Sequence, residues 1–377
     1  MKTRNLIICS CILALPLAAG TGIAPDAELG RLLETIRQTR RLPALAGAIL
    51  DGSGIQSIAA TGVRKAGTDV AATIDDAWHL GSNTKPMTAF LLGRLVEQGK
   101  LKWETTIAEV FPDQAKAMPP AVQEANLLHL LSHRAGLPAN IFWGLVPKTG
   151  SLRDQRVSVV GMLKDVKPVA DLGSRYLYSN LGYVVAGAMA ERVMNASWED
   201  LMVELVFKPL GMTSAGFGGL GTPGQVDEPW PHAPDGKPEP MNGPDQDNPA
   251  VIGPAGSVHC TLADWAKFVG DVLKGARGEK ALLKPETYKT LVTPPFGGDY
   301  ALGWLVVERD WGGGKVLNHN GSNTMNFATV WIAPAKGFAV LIVTNQGGPE
   351  AARGCDEAAG KMIEFSTAGK QTQGNHP

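Results

Sequence analysis

Candidate β-strands lie at both ends of this chain, and the long region between them has a mainly helical pattern. Near the start, Leu45–Leu50 and Ile55–Thr61 flank Asp51-Gly52-Ser53-Gly54, which favours a hairpin turn. Four more strands are predicted near the end: Ala301–Glu308, Lys315–His319, Phe327–Ala333 and Phe338–Thr344. Strands contributed by both ends predict one antiparallel sheet, and with its flanking helices the fold class is α/β (α+β).

Helical periodicity dominates the region between the two groups of strands. The apolar spacing predicts terminal helices over 27–41 and about 350–365, and internal helices over 86–99, 121–133, 155–165, 181–194, 197–207, 261–274 and 284–292. Residues 216–256 interrupt this pattern because they are dense in Gly and Pro, with a turn expected at Asp235-Gly236. Such a loop is either functional or disordered, and Trp230 with the prolines favours an ordered rim on a site.

The first twenty residues have the composition of a secretory signal. The basic residues Lys2 and Arg4 precede an apolar stretch over 6–17, and small residues follow at 18–20. That stretch is too short, and too broken by Pro16, for a membrane span, and no later segment is long and apolar enough. We therefore predict a periplasmic or secreted protein without a stable span in the mature chain.

These features define the expected domain organisation. The signal peptide covers residues 1–20, one domain covers 21–365, and a disordered tail covers 366–377. Within the domain, a sheet lobe is expected over about 25–80 and 296–365, and a helical lobe over about 81–295.

Charge and cysteine content limit the possible partners. The 377-residue chain has a formal net charge of −1, which becomes −3 when two positive and no negative charges leave with residues 1–20. This near-neutral chain lacks the basic character of nucleic-acid binding. Export permits a disulfide between Cys260 and Cys355, although two buried free thiols are the expected state.

A possible nucleophile lies where an extended run becomes a helix, at Ser82-Asn83-Thr84-Lys85. Residues three apart on a helix share a face, so the amine of Lys85 could take the proton of the Ser82 hydroxyl. Backbone N–H groups and the dipole of the first turn would favour an oxyanion beside that serine. Alternatively, Ser82 is an N-cap, because Ser-x-x-Lys is a short motif with a high false-positive risk.

A second polar group, Tyr178-Ser179-Asn180, precedes the helix predicted from Leu181. A phenol can carry a proton if a nearby cation stabilises its phenolate, and an amide can orient both a lysine and a substrate carbonyl. Alternatively, Ser179 and Asn180 cap the helix, and Tyr178 is a packing aromatic.

A third group, His319-Asn320-Gly321-Ser322, follows a predicted strand near the end of the chain. Glycine beside a strand allows a substrate to approach the backbone closely. The backbone N–H of Ser322 would then be a second oxyanion donor, opposite that of Ser82, and His319 could orient or protonate the substrate.

In this order, the three groups resemble the motifs of the serine hydrolase family that contains class C β-lactamases, serine-type D-Ala-D-Ala carboxypeptidases and related esterases. That family uses a Ser-x-x-Lys, a Tyr-x-Asn, and a Lys-Thr-Gly or His-x-Gly triplet. Further similar stretches are 130–138, 254–257 and 300–304, so the resemblance covers nearly the whole mature chain.

The resemblance implies a two-step acyl transfer without a cofactor or metal. Ser82 would be the nucleophile, and Lys85 and Tyr178 would handle its proton. The expected substrate-binding residues are Asn180, His319, Gly321 and Ser322. The substrate would be a small molecule or peptide with a reactive ester, amide or β-lactam carbonyl, and the pattern does not predict an oligomeric state.

His319 departs from class C β-lactamases, which usually have lysine at this position. A mostly neutral imidazole attracts a substrate carboxylate only weakly at pH 7, so carboxypeptidase-like or esterase-like activity is expected. The alternatives are a class C-type β-lactamase and a non-catalytic penicillin-binding or sensor ectodomain. A zinc hydrolase using His129 and His133 is disfavoured, because residue 130 is Leu where the metalloprotease motif has Glu.

Overall fold

The computed structural model describes residues 23–373, with side chains as far as Thr367, so the predicted signal peptide lies outside the described residues. The strands are β1 Ala44–Asp51, β2 Gly54–Gly62, β3 Ala77–His79, β4 Gly216–Phe217, β5 Val258–Thr261, β6 Leu305–Arg309, β7 Gly314–Ser322, β8 Phe327–Ala333 and β9 Phe338–Thr344. The α-helices are α1 Ala27–Arg40, α2 Thr84–Glu97, α3 Ile107–Val110, α4 Pro112–Ala115, α5 Pro120–Gln123, α6 Leu127–Leu131, α7 Leu152–Met162, α8 Asn180–Met194, α9 Trp198–Met202, α10 Lys208–Leu210, α11 Gly253–Gly256, α12 Leu262–Ala276, α13 Pro285–Leu291 and α14 Gly348–Gln373.

The main sheet of the described chain has six strands in the order β2-β1-β9-β8-β7-β6. Every neighbouring pair is antiparallel, and Ala48 of β1 pairs with Ile58 on one side and Leu341 on the other. The hairpin near the start therefore lies beside the last strand. This arrangement confirms the predicted sheet built from both chain ends and the α/β (α+β) class.

Both faces of the main sheet are buried, which explains its apolar strands. Successive residues of a strand point to opposite faces, so Ala46 and Ala48 of β1 join one hydrophobic cluster and Leu45 and Ile49 join another. Helices α1 and α14 cover the second face, whereas α2, α8 and α12 contribute to the first cluster. The sheet is therefore a middle layer between two groups of helices.

A second sheet, with the order β3-β5-β4, was missed by sequence reasoning. Its strands are only two to four residues long, which is too short for a reliable periodic pattern. His79 of β3 pairs with His259 of β5, and Phe217 of β4 pairs with Val258. This small sheet joins the chain just before Ser82 to the Gly- and Pro-rich region.

The predicted helix over 121–133 is wrong, because it is two short helices, α5 and α6. The first helix ends at Gln123, and Asn126 caps the second, its side chain accepting from His129 N at 3.1 Å. A local side-chain bond of this kind competes with the helical ladder. His133 lies beyond the end of α6 with a φ of +59°, so His129 and His133 do not share a helix.

Three boundaries near the end of the chain also differ from the prediction. The strand expected over 301–308 begins at Leu305, because Ala301 N donates to Trp304 O and closes a turn. Strand β7 runs on to Ser322, so the His-x-Gly triplet lies within the strand. Helix α14 continues to Gln373, so residues 366–373 of the expected tail are helical.

Two other expectations concern cysteine and the membrane. Cys260 and Cys355 are both buried free thiols, as expected. Within residues 23–373, no helix is both long and apolar enough to cross a membrane.

Arg156 of α7 is a buried cation that ties together several segments of the helical region. Its guanidinium bonds to Glu191 of α8 at 2.6 Å and Glu199 of α9 at 2.5 Å, and it donates to Val251 O at 3.1 Å. Burial raises the pKa of Glu191 despite the lowering effect of Arg156. Removing the arginine would therefore leave a buried carboxylate without its counter-charge.

We expect Arg156→Met to lower the free energy of unfolding by about 3–5 kcal/mol, because breaking a buried ion pair leaves an uncompensated charge. Urea unfolding followed by circular dichroism measures the change. The control is Lys208→Met, which removes an ion pair to Glu204 that is 63% and 58% exposed. The control should change the unfolding free energy by less than about 0.5 kcal/mol, and equal losses in the two variants would contradict this prediction.

Candidate active site

Ser82 lies in a 3₁₀ turn, Gly81–Asn83, that leads from β3 into α2. Its hydroxyl makes no helix cap: Oγ lies 2.7 Å from Tyr178 Oη and 3.0 Å from Lys85 Nζ. The N-cap alternative therefore does not describe Ser82. The turn begins with Gly81 at φ +52°, a left-handed conformation that glycine adopts without strain.

Lys85 is completely buried, and three oxygen atoms surround its amine. Besides Ser82 Oγ, Nζ contacts Asn180 Oδ1 at 2.8 Å and Ala255 O at 2.7 Å. No carboxylate pairs with it among the described side chains, and burial lowers its pKa well below 10.5. A neutral amine has two hydrogens, which match the two carbonyl oxygens, and its lone pair is then directed at the Ser82 hydroxyl.

The carbonyl of Ala255 is held in place by two threonines of α2. Thr88 Oγ1 donates to Pro254 O at 2.7 Å, and Thr84 Oγ1 accepts from Val258 N at 3.0 Å. Helix α2, which carries Lys85, thus also holds the segment whose Ala255 carbonyl accepts a hydrogen bond from the Lys85 amine.

The orientation of the Asn180 amide follows from a chain of hydrogen bonds. The indole N–H of Trp143, which can only donate, bonds to Asn140 Oδ1 at 3.1 Å. The same oxygen accepts from Asn180 Nδ2 at 3.0 Å. Asn180 Oδ1 must therefore face Lys85. Sequence reasoning missed Asn140 and Trp143, because neither belongs to a recognisable motif.

Tyr178 is held above Ser82 by an aromatic cluster around His133. The His133 ring lies 4.6 Å from the Tyr178 ring and 4.8 Å from the Tyr300 ring, measured between centroids. His133 Nδ1 also accepts from Ser179 N at 3.0 Å. Burial raises the pKa of Tyr178 to about 12, partly offset by the hydrogen bond with Ser82, so the phenol is protonated at neutral pH.

Ser179 caps the start of helix α8, as in the alternative interpretation of the second polar group. Its Oγ accepts from Gly182 N at 3.0 Å at the start of α8 and donates to Pro138 O at 2.7 Å. This cap fixes the entry of the chain into α8 between Tyr178, which contacts Ser82, and Asn180, which contacts Lys85.

Two glycines bring β7 against the turn that contains Ser82. A side-chain carbon on Gly321 would lie 2.0 Å from Leu80 O, and one on Gly81 would lie 2.3 Å from Ser322 N. Only glycine at both positions permits backbones to meet so closely. Ser82 and Ser322 consequently line the same cavity.

The structure places His319 behind the cavity wall, whereas we expected it to line the pocket. The side chain is only 5% exposed, and Nε2 lies 3.0 Å from Tyr300 Oη. Burial, with Lys85 as a second cause, lowers the pKa of His319 to about 3. The imidazole is therefore neutral at pH 7 and adds no positive charge to the site.

The cavity beside Ser82 has a volume of about 380 Å³. It is lined by Ser82, Asn140, Trp143, Asn180, Asn248, Pro249, Ile252, Ala255, Gly256, Ser322 and Thr324. None of these lining residues carries a charge, and those over 248–256 belong to the Gly- and Pro-rich region, which therefore borders this cavity. A larger cavity of about 930 Å³, lined by residues such as Ala77, Glu228 and Asp264, contains none of the three motifs.

The histidines of the zinc alternative have other partners. The His129 ring stacks on Phe296 at 4.6 Å, and His133 belongs to the aromatic cluster beside Tyr178. Within the described residues, no group of three or more His, Cys, Asp or Glu side chains is placed to hold a metal ion.

Comparisons with known proteins show which proteins this chain is similar to. Penicillin-binding protein 4 of Amycolatopsis lactamdurans is 26% identical over 340 residues, which cover 83% of this chain and 84% of that protein. The Putative D-alanyl-D-alanine carboxypeptidase of Escherichia coli (strain K12) is 30% identical over 156 residues, 40% of this chain and 36% of that protein.

The fold is also similar to that of a solved structure. The octameric penicillin-binding protein homologue from Pyrococcus abyssi superposes with a TM-score of 0.70 at 21% identity, covering 89% of this chain and 77% of that one. The family profile described as Beta-lactamase matches residues 29–361. The chain therefore belongs to the Beta-lactamase family, whose members are serine hydrolases related to the penicillin-binding proteins.

Proposed function

We propose that this chain is an exported serine hydrolase that cleaves an ester, amide or β-lactam carbonyl through an acyl-enzyme. The observation that most supports the proposal is the pair of proton-transfer partners on one hydroxyl. Ser82 Oγ lies within 3.0 Å of both the Lys85 amine and the Tyr178 phenol. A hydroxyl becomes a nucleophile when an adjacent base can take its proton.

In the acylation step, Lys85 is the better base of the two partners. Burial lowers the pKa of Lys85 and raises that of Tyr178, so the amine is the group able to accept a proton near neutral pH. Ser82 Oγ attacks the substrate carbonyl carbon while its proton passes to Lys85 Nζ. Tyr178 then protonates the leaving group as its bond to the carbonyl carbon breaks, and Tyr178 recovers a proton from Lys85. A water molecule later attacks the acyl carbonyl, its proton passes to Lys85 and on to Ser82 Oγ, and the acyl group leaves as the acid.

The negative oxygen formed during attack needs hydrogen-bond donors. The backbone N–H groups of Ser82 and Ser322 are the proposed donors, because β7 meets the nucleophile turn at Gly81 and Gly321. Asn180, whose Oδ1 faces Lys85, positions that amine and contributes to the wall that receives the substrate.

The neutral cavity favours uncharged substrates. Most β-lactams and all D-Ala-D-Ala peptides carry a carboxylate, which gains most from a facing cation. His319 is neutral behind the wall, and the residues that line the cavity are uncharged. We therefore propose esterase-like activity ahead of carboxypeptidase or β-lactamase activity, acting in the periplasm or outside the cell because of the signal-like composition of residues 1–20.

Ser82→Ala should abolish both turnover of p-nitrophenyl butyrate and covalent labelling by a fluorophosphonate, because no other hydroxyl among the described side chains has these two partners. Product release and intact-protein mass spectrometry measure the two effects. Ser158→Ala is the control, since that hydroxyl bonds to Asp154 O on α7, and it should keep both properties. Labelling of another residue in Ser82→Ala would contradict the assignment, and a wild-type acyl-enzyme that never clears would indicate a sensor ectodomain.

Lys85→Met and Lys85→Arg should both slow acylation by about 10²- to 10⁴-fold, because neither methionine nor a permanently protonated arginine can accept the proton. Stopped-flow release of p-nitrophenol measures the acylation rate. A Lys85→Arg variant with the wild-type rate would remove proton acceptance by Lys85 from the mechanism.

The same lysine should make stability depend on pH. Its pKa is about 10.5 in the unfolded chain and well below this in the native chain, so the unfolded state binds more protons between the two values. The free energy of unfolding of the wild type, minus that of Lys85→Met, should therefore rise with pH through this window and level off above it. Urea unfolding from pH 6 to 11 measures this difference, and a flat or falling curve would contradict a depressed native pKa.

A chromogenic cephalosporin and its methyl ester differ by one carboxylate, so their rates test whether the cavity favours an uncharged substrate. Without a cation to receive that carboxylate, the ester should be hydrolysed at least as fast as the free acid, and p-nitrophenyl butyrate faster than either. Initial rates at low ionic strength measure the order, because screening is then weakest. A strong preference for the free acid would instead support the class C-type β-lactamase alternative.

A further inference from the structure

The carboxylate of Asp247 lies buried between two backbone segments that lead to the catalytic cavity. Its side chain is 4% exposed, and that of His79 is 1% exposed. Asp247 Oδ2 lies 2.9 Å from His79 Nε2, and Oδ1 accepts from Asn323 Nδ2 at 3.0 Å. The carboxylate thus bridges β3 and the end of β7.

The hydrogen bonds determine the tautomer of His79. Its Nδ1 accepts from Gly81 N at 3.1 Å, so Nδ1 has no hydrogen. The ring hydrogen is then on Nε2 and is donated to Asp247. Through this ring, the carboxylate holds the backbone of the residue that precedes Ser82.

The orientation of the Asn323 amide is also determined. Its Oδ1 accepts from Asn326 N at 3.0 Å and from Asn326 Nδ2 at 3.1 Å. The amide nitrogen must therefore face Asp247. Burial alone would raise the pKa of Asp247, but His79 and the hydrogen bonds outweigh this effect and the pKa is lowered.

Each oxygen of Asp247 consequently receives a side-chain donor, and neither of these two groups can become an acceptor. An ionised carboxylate satisfies both, whereas an amide would place its own N–H groups against one of them. Aspartate and asparagine have nearly the same volume, but only aspartate can accept hydrogen bonds from both donors at this position.

The two segments held by Asp247 are the ones that carry the proposed oxyanion donors. Gly81 immediately precedes Ser82, and Asn323 immediately follows Ser322. These segments touch, since a side-chain carbon on Gly81 would lie 2.3 Å from Ser322 N. A small change in either hydrogen bond would alter the spacing between the two N–H groups.

We propose that Asp247 is a positioning residue that, through His79 and Asn323, sets the spacing of the Ser82 and Ser322 backbone N–H groups. The inference rests on the proposed function, because those groups matter only if an oxyanion forms between them. Ser-x-x-Lys chemistry then depends on a carboxylate in the Gly- and Pro-rich region, which contacts neither the substrate nor the reacting atoms.

Asp247→Asn should lower kcat for p-nitrophenyl butyrate by about 10- to 100-fold, in the range of a weakened oxyanion donor, with KM within about threefold of the wild type. Fluorophosphonate labelling of Ser82 should become slower but still reach one label per chain. The matched control is Asp264→Asn, another buried aspartate, whose partners Ser214 and Lys267 do not line the cavity. The control should lose thermal stability but keep kcat.

An Asp247→Asn variant with wild-type kcat and normal labelling would overturn this inference alone. A wild-type protein that is never labelled at Ser82 would overturn the proposed function as well. If Asp247→Asn does not fold, His79→Gln and His79→Leu replace it, because glutamine can both accept from Gly81 and donate to Asp247. We expect His79→Gln to exceed His79→Leu in kcat by about tenfold, and equal values would overturn the inference.

Discussion

The buried amine of Lys85 is the constraint around which the site is organised. A lysine without a carboxylate partner is unfavourable in a core, and a depressed pKa relieves this cost by allowing the amine to become neutral. Asn180 Oδ1 and Ala255 O then receive its hydrogens, while Ser82 faces its lone pair. The surrounding contacts, from the threonines of α2 to the indole of Trp143, serve to orient those two oxygens.

Close backbone contact is the second requirement, and it joins distant parts of the chain. The turn that holds Ser82 follows β3, whereas Ser322 ends β7 near the other terminus. Gly81 and Gly321 allow these segments to meet, and Asp247 bonds to both through His79 and Asn323. The geometry of the proposed site therefore depends on interactions among the main sheet, the small sheet and the long loop.

Much of the fold could be predicted from sequence, because long periodic segments have strong local signals. Helices α1, α8 and α12 and strands β8 and β9 follow their predicted ranges closely. The small sheet could not be predicted, since its strands exist only through pairing across about 180 residues between β3 and β5. Motifs indicated Ser82, Lys85 and Tyr178, but Asn140 and Asp247 are ordinary polar loop residues until the fold surrounds them. The burial of His319 also depends on tertiary packing against Tyr300.

The pairing of β1 with β9 has a consequence for how the protein is made. Ala46 lies opposite Val343, so this pair of strands joins residues nearly three hundred positions apart. During synthesis, the β1 edge of the hairpin stays unpaired until residues 338–344 have emerged. Such distant partners slow folding, and an exposed edge invites association with other chains. Nascent chains of this protein should therefore depend on chaperones more than their modest size suggests.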